Sequence, residues 1–358
     1  MDLAAQGSGK CGGIGGPRGL CYLQAVVTLG IETSCDETSC GIVDAGMRVL
    51  ANQVYSQIPI HSEYGGVVPE IAARAHLEKI DPIVRLALDE AGLALAQVGQ
   101  IAFTRGPGLL GPLLVGASFA RALGRSLGKP VTGVNHLEGH LASAFLEDPS
   151  LQPPFLCLVV SGGHTEFVQV DEGLAYTLIG KTRDDAAGEA FDKCGKILGL
   201  GYPAGPILAR VAASGRRDFV PLPKALDQRD NFEFSFSGLK TAVLRYVEAQ
   251  PPDSIRNNLS HICASVESAI VDVLVKKSIN ALFATKMQTL TVVGGVSANA
   301  YLRARMQAET AKRGFRALFP APKYCGDNGA MIAAIGQWRA NHGLVQTEVA
   351  VTPSLRWS

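Results

Sequence analysis

No uninterrupted apolar run of about 18 residues occurs in the chain, so nothing in it reads as a membrane span. Charge of one sign is also missing. The 33 basic residues stand against 32 acidic ones, for a formal net charge of +1. That excludes a protein that grips nucleic acid by overall basicity, and leaves open a local basic patch or a partner's surface. There is no Cys-x-x-Cys pair. The eight cysteines, Cys11, Cys21, Cys35, Cys40, Cys157, Cys194, Cys263 and Cys325, are scattered. Without a secretory signal they read as reduced, mostly buried thiols of a cytosolic protein, with Cys35 set apart in a polar turn beside Asp36.

What is present is globular. Hydrophobic residues make up 47% of the 358 and charged residues 18%, a length and balance that allow about two domains. Residues 1–25 are Gly-rich and without periodicity. Their Gly12-Gly13-Ile14-Gly15-Gly16 has no strand before it and no helix after it, so it reads as a flexible extension, or as the product of an upstream start codon, and not as a nucleotide loop.

The most informative stretch is Asn135-His136-Leu137-Glu138-Gly139-His140. Pro130–Val134 predicts a short strand and the residues after it a helix with Asn135 as N-cap and Glu138 at N3. Histidines four apart share one helix face and can reach one ion. An isolated H-x-x-x-H more often bonds only to backbone or water, so the rest of the chain decides.

Two hairpins frame the sequence. Val26–Glu32 and Cys40–Asp44 read as strands around the polar turn Thr33–Thr38, where Asp36 is free to bind a metal or orient a reacting group, or simply to be solvated. Phe155–Val160 and Glu166–Val170 flank Ser161-Gly162-Gly163-His164-Thr165, whose glycines let backbone N–H groups approach a phosphate. The repetition suggests an internal duplication and two lobes facing across a cleft.

Between the hairpins, Val68–Lys79 is helical, and Asp81-Pro82 is expected to restart a helix with Asp81 as N-cap. Leu113–Leu127 is an apolar-faced helix closed by Gly128. Further on, Asp184–Lys193 is a helical stretch dense in carboxylates, with Asp184 and Asp185 on a solvated face as the plain alternative. Asp192 precedes a Gly/Pro turn suited to a ribose or adenine. The aromatic run Phe232–Phe236 reads as core packing. Leu290–Gly294, Gly295 and the helix after Asn299 form a fair nucleotide site. Asp327 is the default N-cap of the last helix. Near His136 and His140 it would instead complete a His₂Asp set suited to Zn²⁺ or Fe²⁺.

Gly30–Thr38, Tyr64–Glu70, Asn135–His140, Val160–Thr165, Asp184–Lys193, Phe234–Lys240, Gly294–Asn299 and Asp327–Met331 together, in this order, resemble the tRNA adenosine threonylcarbamoyltransferases, the TsaD family. The resemblance implies an α/β, actin-like ATPase fold with two RNase-H-like lobes around a nucleotide and metal cleft. It places the first lobe at 26–150 and the second, with a helical insertion, at 151–358, the chain end packing back on the first. It implies transfer of the threonylcarbamoyl group from threonylcarbamoyl-adenylate to N6 of the adenosine 3′ to the anticodon, in tRNAs reading ANN codons, with release of AMP. His136, His140 and Asp327 match the family's metal ligands for Fe²⁺ or Zn²⁺. Val159, Val160, Ser161, Gly162, Gly163, Asp192, Gly205 and Asn299 match its adenylate-binding positions, and Asp36 its active-site aspartate. The implied partners are tRNA, a dimerising paralogue (TsaB), a small ATPase (TsaE) and a synthase that makes the adenylate, all in the cytoplasm. Ala204-Gly205 departs from the family's Gly-Gly by one methyl, and Pro206–Ala209 lacks an Asp that some members carry.

Three rivals compete with this reading. A zinc peptidase needs H-E-x-x-H, but Glu138 sits two residues after His136, about 200° around the helix and off the shared face. A sugar kinase or chaperone-type ATPase of the same superfamily has no use for H-x-x-x-H with a distant Asp. A non-catalytic scaffold would not need a competent residue at every ligand position.

Overall fold

The computed structural model describes residues 27–226, 228–344 and 350–357; the Gly-rich stretch 1–25 lies outside the described residues. The first sheet contains β1 (Thr28–Glu32), β2 (Glu37–Val43), β3 (Val49–Ser56), β4 (Gln100–Gly106) and β5 (Val131–Asn135), in the order β3-β2-β1-β4-β5. The second contains β6 (Phe155–Val160), β7 (Thr165–Asp171), β8 (Ala175–Lys181), β9 (Thr289–Val293) and β10 (Arg316–Leu318), in the order β10-β9-β6-β7-β8. Counted from its own first strand, the second sheet repeats the first. In each, the first strand is central, antiparallel to its hairpin partner and parallel to the fourth strand. The duplication expected from the two hairpins is therefore a property of both sheets.

The helices that matter here are α1 (Pro69–Ala91), α2 (Leu110–Leu127), α3 (His136–Glu147), α4 (Ala187–Ile197), α5 (Ala204–Ala212), α6 (Ser237–Glu248), α7 (Leu259–Thr285), α8 (Ala300–Ala311) and α9 (Gly329–Asn341). Strand alternation sends Leu29 and Ile31 of β1 to the face covered by Ile83, Val84 and Ala87 of α1 and Ala117 and Ala120 of α2. Gly30 and Gly41 face the other way, against α9. A Cβ at Gly30 would lie 2.2 Å from the Ala333 amide nitrogen, and one at Gly41 2.1 Å from that of Ala330. Only glycine lets α9 approach this closely.

In the second sheet Leu156, Leu158 and Val160 pack on α4, α5 and α7. Phe155, Cys157 and Val159, on the opposite face, meet Leu137, Leu141 and Phe145 of α3 and Ile335 and Trp338 of α9. So α3 and α9 form a middle layer between the sheets, and every residue of α3 from His136 to Phe145 is buried. A strand covered on both faces reads as an unbroken apolar run, which is why Phe155–Val160 shows no alternation.

The last described segment crosses from one half to the other. Thr352 N donates to Arg105 O (2.8 Å), Gly108 N to Pro353 O (3.1 Å) and Asn135 Nδ2 to Arg356 O (2.9 Å). On the far side, Trp357 Nε1 donates to Glu166 Oε1 (3.0 Å), and its ring packs on Tyr176.

Three local expectations are corrected. No helix restarts at Asp81, because α1 runs unbroken through Pro82. Its apolar stripe continues in step from Ala72 to Leu88, and Pro82 is on the exposed face, where water serves the carbonyl it leaves unbonded. The carboxylate-rich stretch turns helical only at Ala187. Asp184 precedes the helix and instead accepts hydrogen bonds from Phe236 N, Ser237 N, Ser235 Oγ and Ser237 Oγ, which pins the start of α6. The N-cap of α9 is Asn328, which accepts from Met331 N; Asp327 is turned elsewhere. Among the described residues no helix is long and apolar enough to cross a membrane.

Candidate active site and metal centre

The β1–β2 turn, the β6–β7 turn and the first residue of α3 converge on a cleft of about 840 Å³, whose wall also includes Asp192, Asn299 and Asp327. Asn135 begins α3 as expected, its Oδ1 accepting from Leu137 N at 2.9 Å. The cap sets the rotation of the first turn and so aims both histidines. His140 Nε2 lies 3.1 Å from Asp327 Oδ1 and His136 Nε2 3.6 Å from the same oxygen. One ligand atom from each residue falls within 4.8 Å of the other two.

Two observations test whether these residues fit a metal ion. His140 is fully buried; its Nδ1 has no hydrogen-bond partner, and its Nε2 has only the close ionic contact with Asp327 Oδ1. A buried imidazole left unsatisfied is costly, and an ion would satisfy it. The charges agree. Burial works against an ionised Asp327, but His136 and His140 outweigh it and hold the carboxyl far below the usual range. Burial likewise opposes an imidazolium at His136, and Asp327 and Glu32 override it, raising the pKa to about 9. The donor set of two imidazoles and one carboxylate suits a divalent transition metal.

Asp36 lines the cleft from the tip of the β1–β2 turn. The turn is fixed from α1, where His76 Nε2 donates to Cys35 O (3.0 Å) and Nδ1 accepts from Thr38 Oγ1 (2.7 Å). Burial keeps His76 neutral by lowering its pKa, as that pattern of one donor and one acceptor requires. Glu37 beside it is raised well above the ordinary carboxylate range by burial and by the nearby Asp327 and Asp36.

In the second turn Ser161 N donates to His164 O (2.8 Å) and His164 N to Ser161 Oγ (3.1 Å). Gly162 and Gly163 are exposed, and a Cβ on either would meet nothing, so the space above them is open to a ligand. Gly188 is the opposite case: a Cβ there would come within 2.7 Å of Ser161 O, so α4 starts directly against the turn. Asp192 Oδ1 accepts from Gly205 N (2.8 Å), tying α4 to the start of α5. Asn299 caps α8 through Leu302 N (2.8 Å) and donates from Nδ2 to Glu267 Oε1 (2.8 Å), so its side chain is already engaged within the protein.

The cleft wall thus brings together Asp36, His136, Ser161, Gly162, Gly163, Asp192, Gly205, Asn299 and Asp327. His140 sits just behind it. Val159 and Val160 are fully buried in β6, and their side chains do not form part of the wall. Glu138 is off the metal face, as its position two residues after His136 predicts, and pairs with Arg339 at 2.7 Å. Glu32, Glu37 and His76 have no assigned role in the sequence reading, and of these Glu32 touches a candidate ligand directly. The signal for Glu32 is a buried-strand run, Val26–Glu32, that ends on a carboxylate.

The description that matches residues 48–334 is "TsaD: tRNA N6-adenosine threonylcarbamoyltransferase". The chain belongs to that family. A relative from Methylibium petroleiphilum bearing the same enzyme name is 50% identical over 322 residues, 89% of this chain and 92% of the relative. Another from Polaromonas sp. is 48% identical over 339 residues, 93% of this chain and 97% of the relative. Among solved structures, T. kodakarensis HypF aligns with a TM-score of 0.57 at 13% identity, over 92% of this chain and 50% of that one. Component A of the (R)-2-hydroxyglutaryl-CoA dehydratase of Acidaminococcus fermentans aligns at 0.52 and 14%, over 88% of this chain and 99% of that one. At such identities the likeness is one of fold, the two-lobed actin-like ATPase architecture that the family implies.

Proposed function

We propose that the cleft binds threonylcarbamoyl-adenylate, with its phosphate over the Ser161–Gly163 turn and its adenosine against Asp192, Gly205 and Asn299. As a family member the chain is a transferase that modifies N6 of adenosine in tRNA. The N6 lone pair attacks the carbamoyl carbon, the bond from that carbon to the phosphate oxygen breaks, and AMP leaves with the bonding pair. The amine proton goes to a base, for which Asp36 is the candidate. The donor is already activated, so the chain's main task is to hold amine and carbon in line. His136, His140 and Asp327 would hold one Fe²⁺ or Zn²⁺, which when bound supplies Lewis acidity toward an oxygen of the donor.

The observation that carries this reading is the joining, in one cleft, of a His₂Asp donor set and an open glycine turn. A kinase-like ATPase would need the second without the first. The near-neutral chain calls for help with tRNA, and the proposal includes a TsaB-like paralogue, a TsaE-like ATPase and an adenylate-forming synthase, in the cytoplasm. The test is a transfer assay with those partners, threonylcarbamoyl-adenylate and unmodified tRNA. Wild type should give modified adenosine, and Asp36→Ala and His136→Ala should lose on the order of a hundredfold or more in rate. No product from wild type, together with ATP hydrolysis independent of tRNA, would replace this reading with the kinase-like one.

A further inference from the structure

Glu32 is fully buried at the end of β1. Its Oε1 accepts from Ser34 N at 2.5 Å, and its Oε2 from Thr104 Oγ1 at 2.5 Å. His136 Nδ1 lies 3.1 Å from the same Oε2. One carboxylate therefore joins the turn that carries Asp36, the strand β4 and the first residue of α3. A charge at this depth costs several kcal/mol unless every lone pair is used, and an apolar residue would fill the space more cheaply. Packing does not account for it.

The orientation of His136 does. With Nδ1 directed at Glu32, the ring turns Nε2 toward Asp327. An imidazole that donates from Nδ1 to a carboxylate keeps its Nε2 lone pair for an ion, and is a stronger ligand for it. Ser34 Oγ is also 3.1 Å from Nδ1, but a hydroxyl brings no charge. Of the three candidate ligands only Asp327 is anionic; the Glu32 carboxylate raises the negative charge around the set to that of a divalent cation.

We propose that Glu32 is a positioning residue for His136, fixing which ring nitrogen faces the ion and tightening its retention. The inference rests on His136, His140 and Asp327 being the ligands. It assigns Glu32 no contact with substrate.

The test is metal affinity, measured on the full-length protein by competition with a chelator using Zn²⁺ and Co²⁺, the latter also giving a visible spectrum. Glu32→Gln keeps the volume and removes the charge. It is expected to weaken binding 10- to 100-fold and to change the Co²⁺ bands. Thr104→Val, which removes another donor to the same oxygen, should leave affinity within a few-fold of wild type. A folded Glu32→Gln protein that binds both ions within twofold of wild type would overturn the proposal. Should that variant fail to fold, Glu32→Asp, with its carboxylate withdrawn from Nδ1, is read the same way: a loss of about tenfold supports the proposal and unchanged affinity and spectrum sink it. A wild type that retains neither ion, or His140→Ala binding as well as wild type, would overturn the ligand reading itself.

Discussion

Glu138 and Arg339 meet 2.7 Å apart with both side chains buried, so the helix that bears the histidines is ionically bonded to the helix that follows Asp327. The pair is incompletely satisfied, since Glu138 Oε1 and Arg339 Nη1 have no hydrogen-bond partner. Burial raises the pKa of Glu138 despite the opposing pull of Arg339. Such a pair costs more to break than it gives by forming. Arg339→Ala should lose about 3–5 kcal/mol in urea unfolding, whereas Glu138→Leu with Arg339→Met should be neutral or more stable. Equal losses in both would show that the pair, and not its burial, holds the helices.

The contact of α9 with the first sheet is expected to be less forgiving. Gly41→Ala sets a methyl against the Ala330 backbone, which cannot swing aside. Thermal unfolding should show a destabilisation of about 3 kcal/mol or more, and Gly162→Ala, in open space, almost none. A mild Gly41→Ala would mean that α9 can move.

Metal should act on stability through the same layer. Zn²⁺ at about a hundred times its Kd is expected to add roughly 2.7 kcal/mol, seen as a higher Tm, and chelation should reverse it. His140→Ala should abolish the shift. A shift that survives in that variant would place the ion elsewhere.

A pH effect follows from His164, which burial, with His136 and His140 adding, pushes down to about 4. Its folded pKa lies below the unfolded value of about 6.5, so protons favour the unfolded chain. Its contribution is complete above pH 6.5 and fades as pH falls toward 4, by roughly 3 kcal/mol in the metal-free protein. Wild type and His164→Asn, compared by urea midpoint from pH 8 to 4, should diverge in that window. Parallel curves would contradict it.

Asp184 offers an acid-sensitive contrast on the surface. Partial burial works against its charge, but Ser235, Phe236 and Ser237 outweigh it and lower its pKa. That support is present above the unfolded pKa and is lost as pH falls through the folded one. Asp184→Ala should cost about 1–2 kcal/mol near neutral pH, in line with a lost helix cap, and less in strong acid.

Much of this plan could be read in the chain because its signals are local. The hairpin around Thr33–Thr38, the cap at Asn135 and the i, i+4 histidines each follow from a few neighbouring residues. What escaped depends on partners far along the sequence. Nothing near Asp184 announces a loop about fifty residues away that needs its oxygens. Pro82 looks like a helix start until the stripe on either side is seen packed on one surface. Glu32 reads only as the end of a strand, and its use appears once β1, β4 and α3 share a point in space.

The packing of α9 over the first sheet also fixes an order of events during synthesis. β1 and β2 leave the ribosome early, yet the helix that covers Gly30 and Gly41 is translated some 290 residues later than Gly41. Domains usually fold as units, the N-terminal one first. Here the earlier sheet must wait with one face bare, exposed to chaperones or to pairing with another nascent chain. The pocket formed by His136, His140 and Asp327 closes in the same late step. A product that ends before α9 would lack this cover, so the first sheet is finished only once α9 has been made.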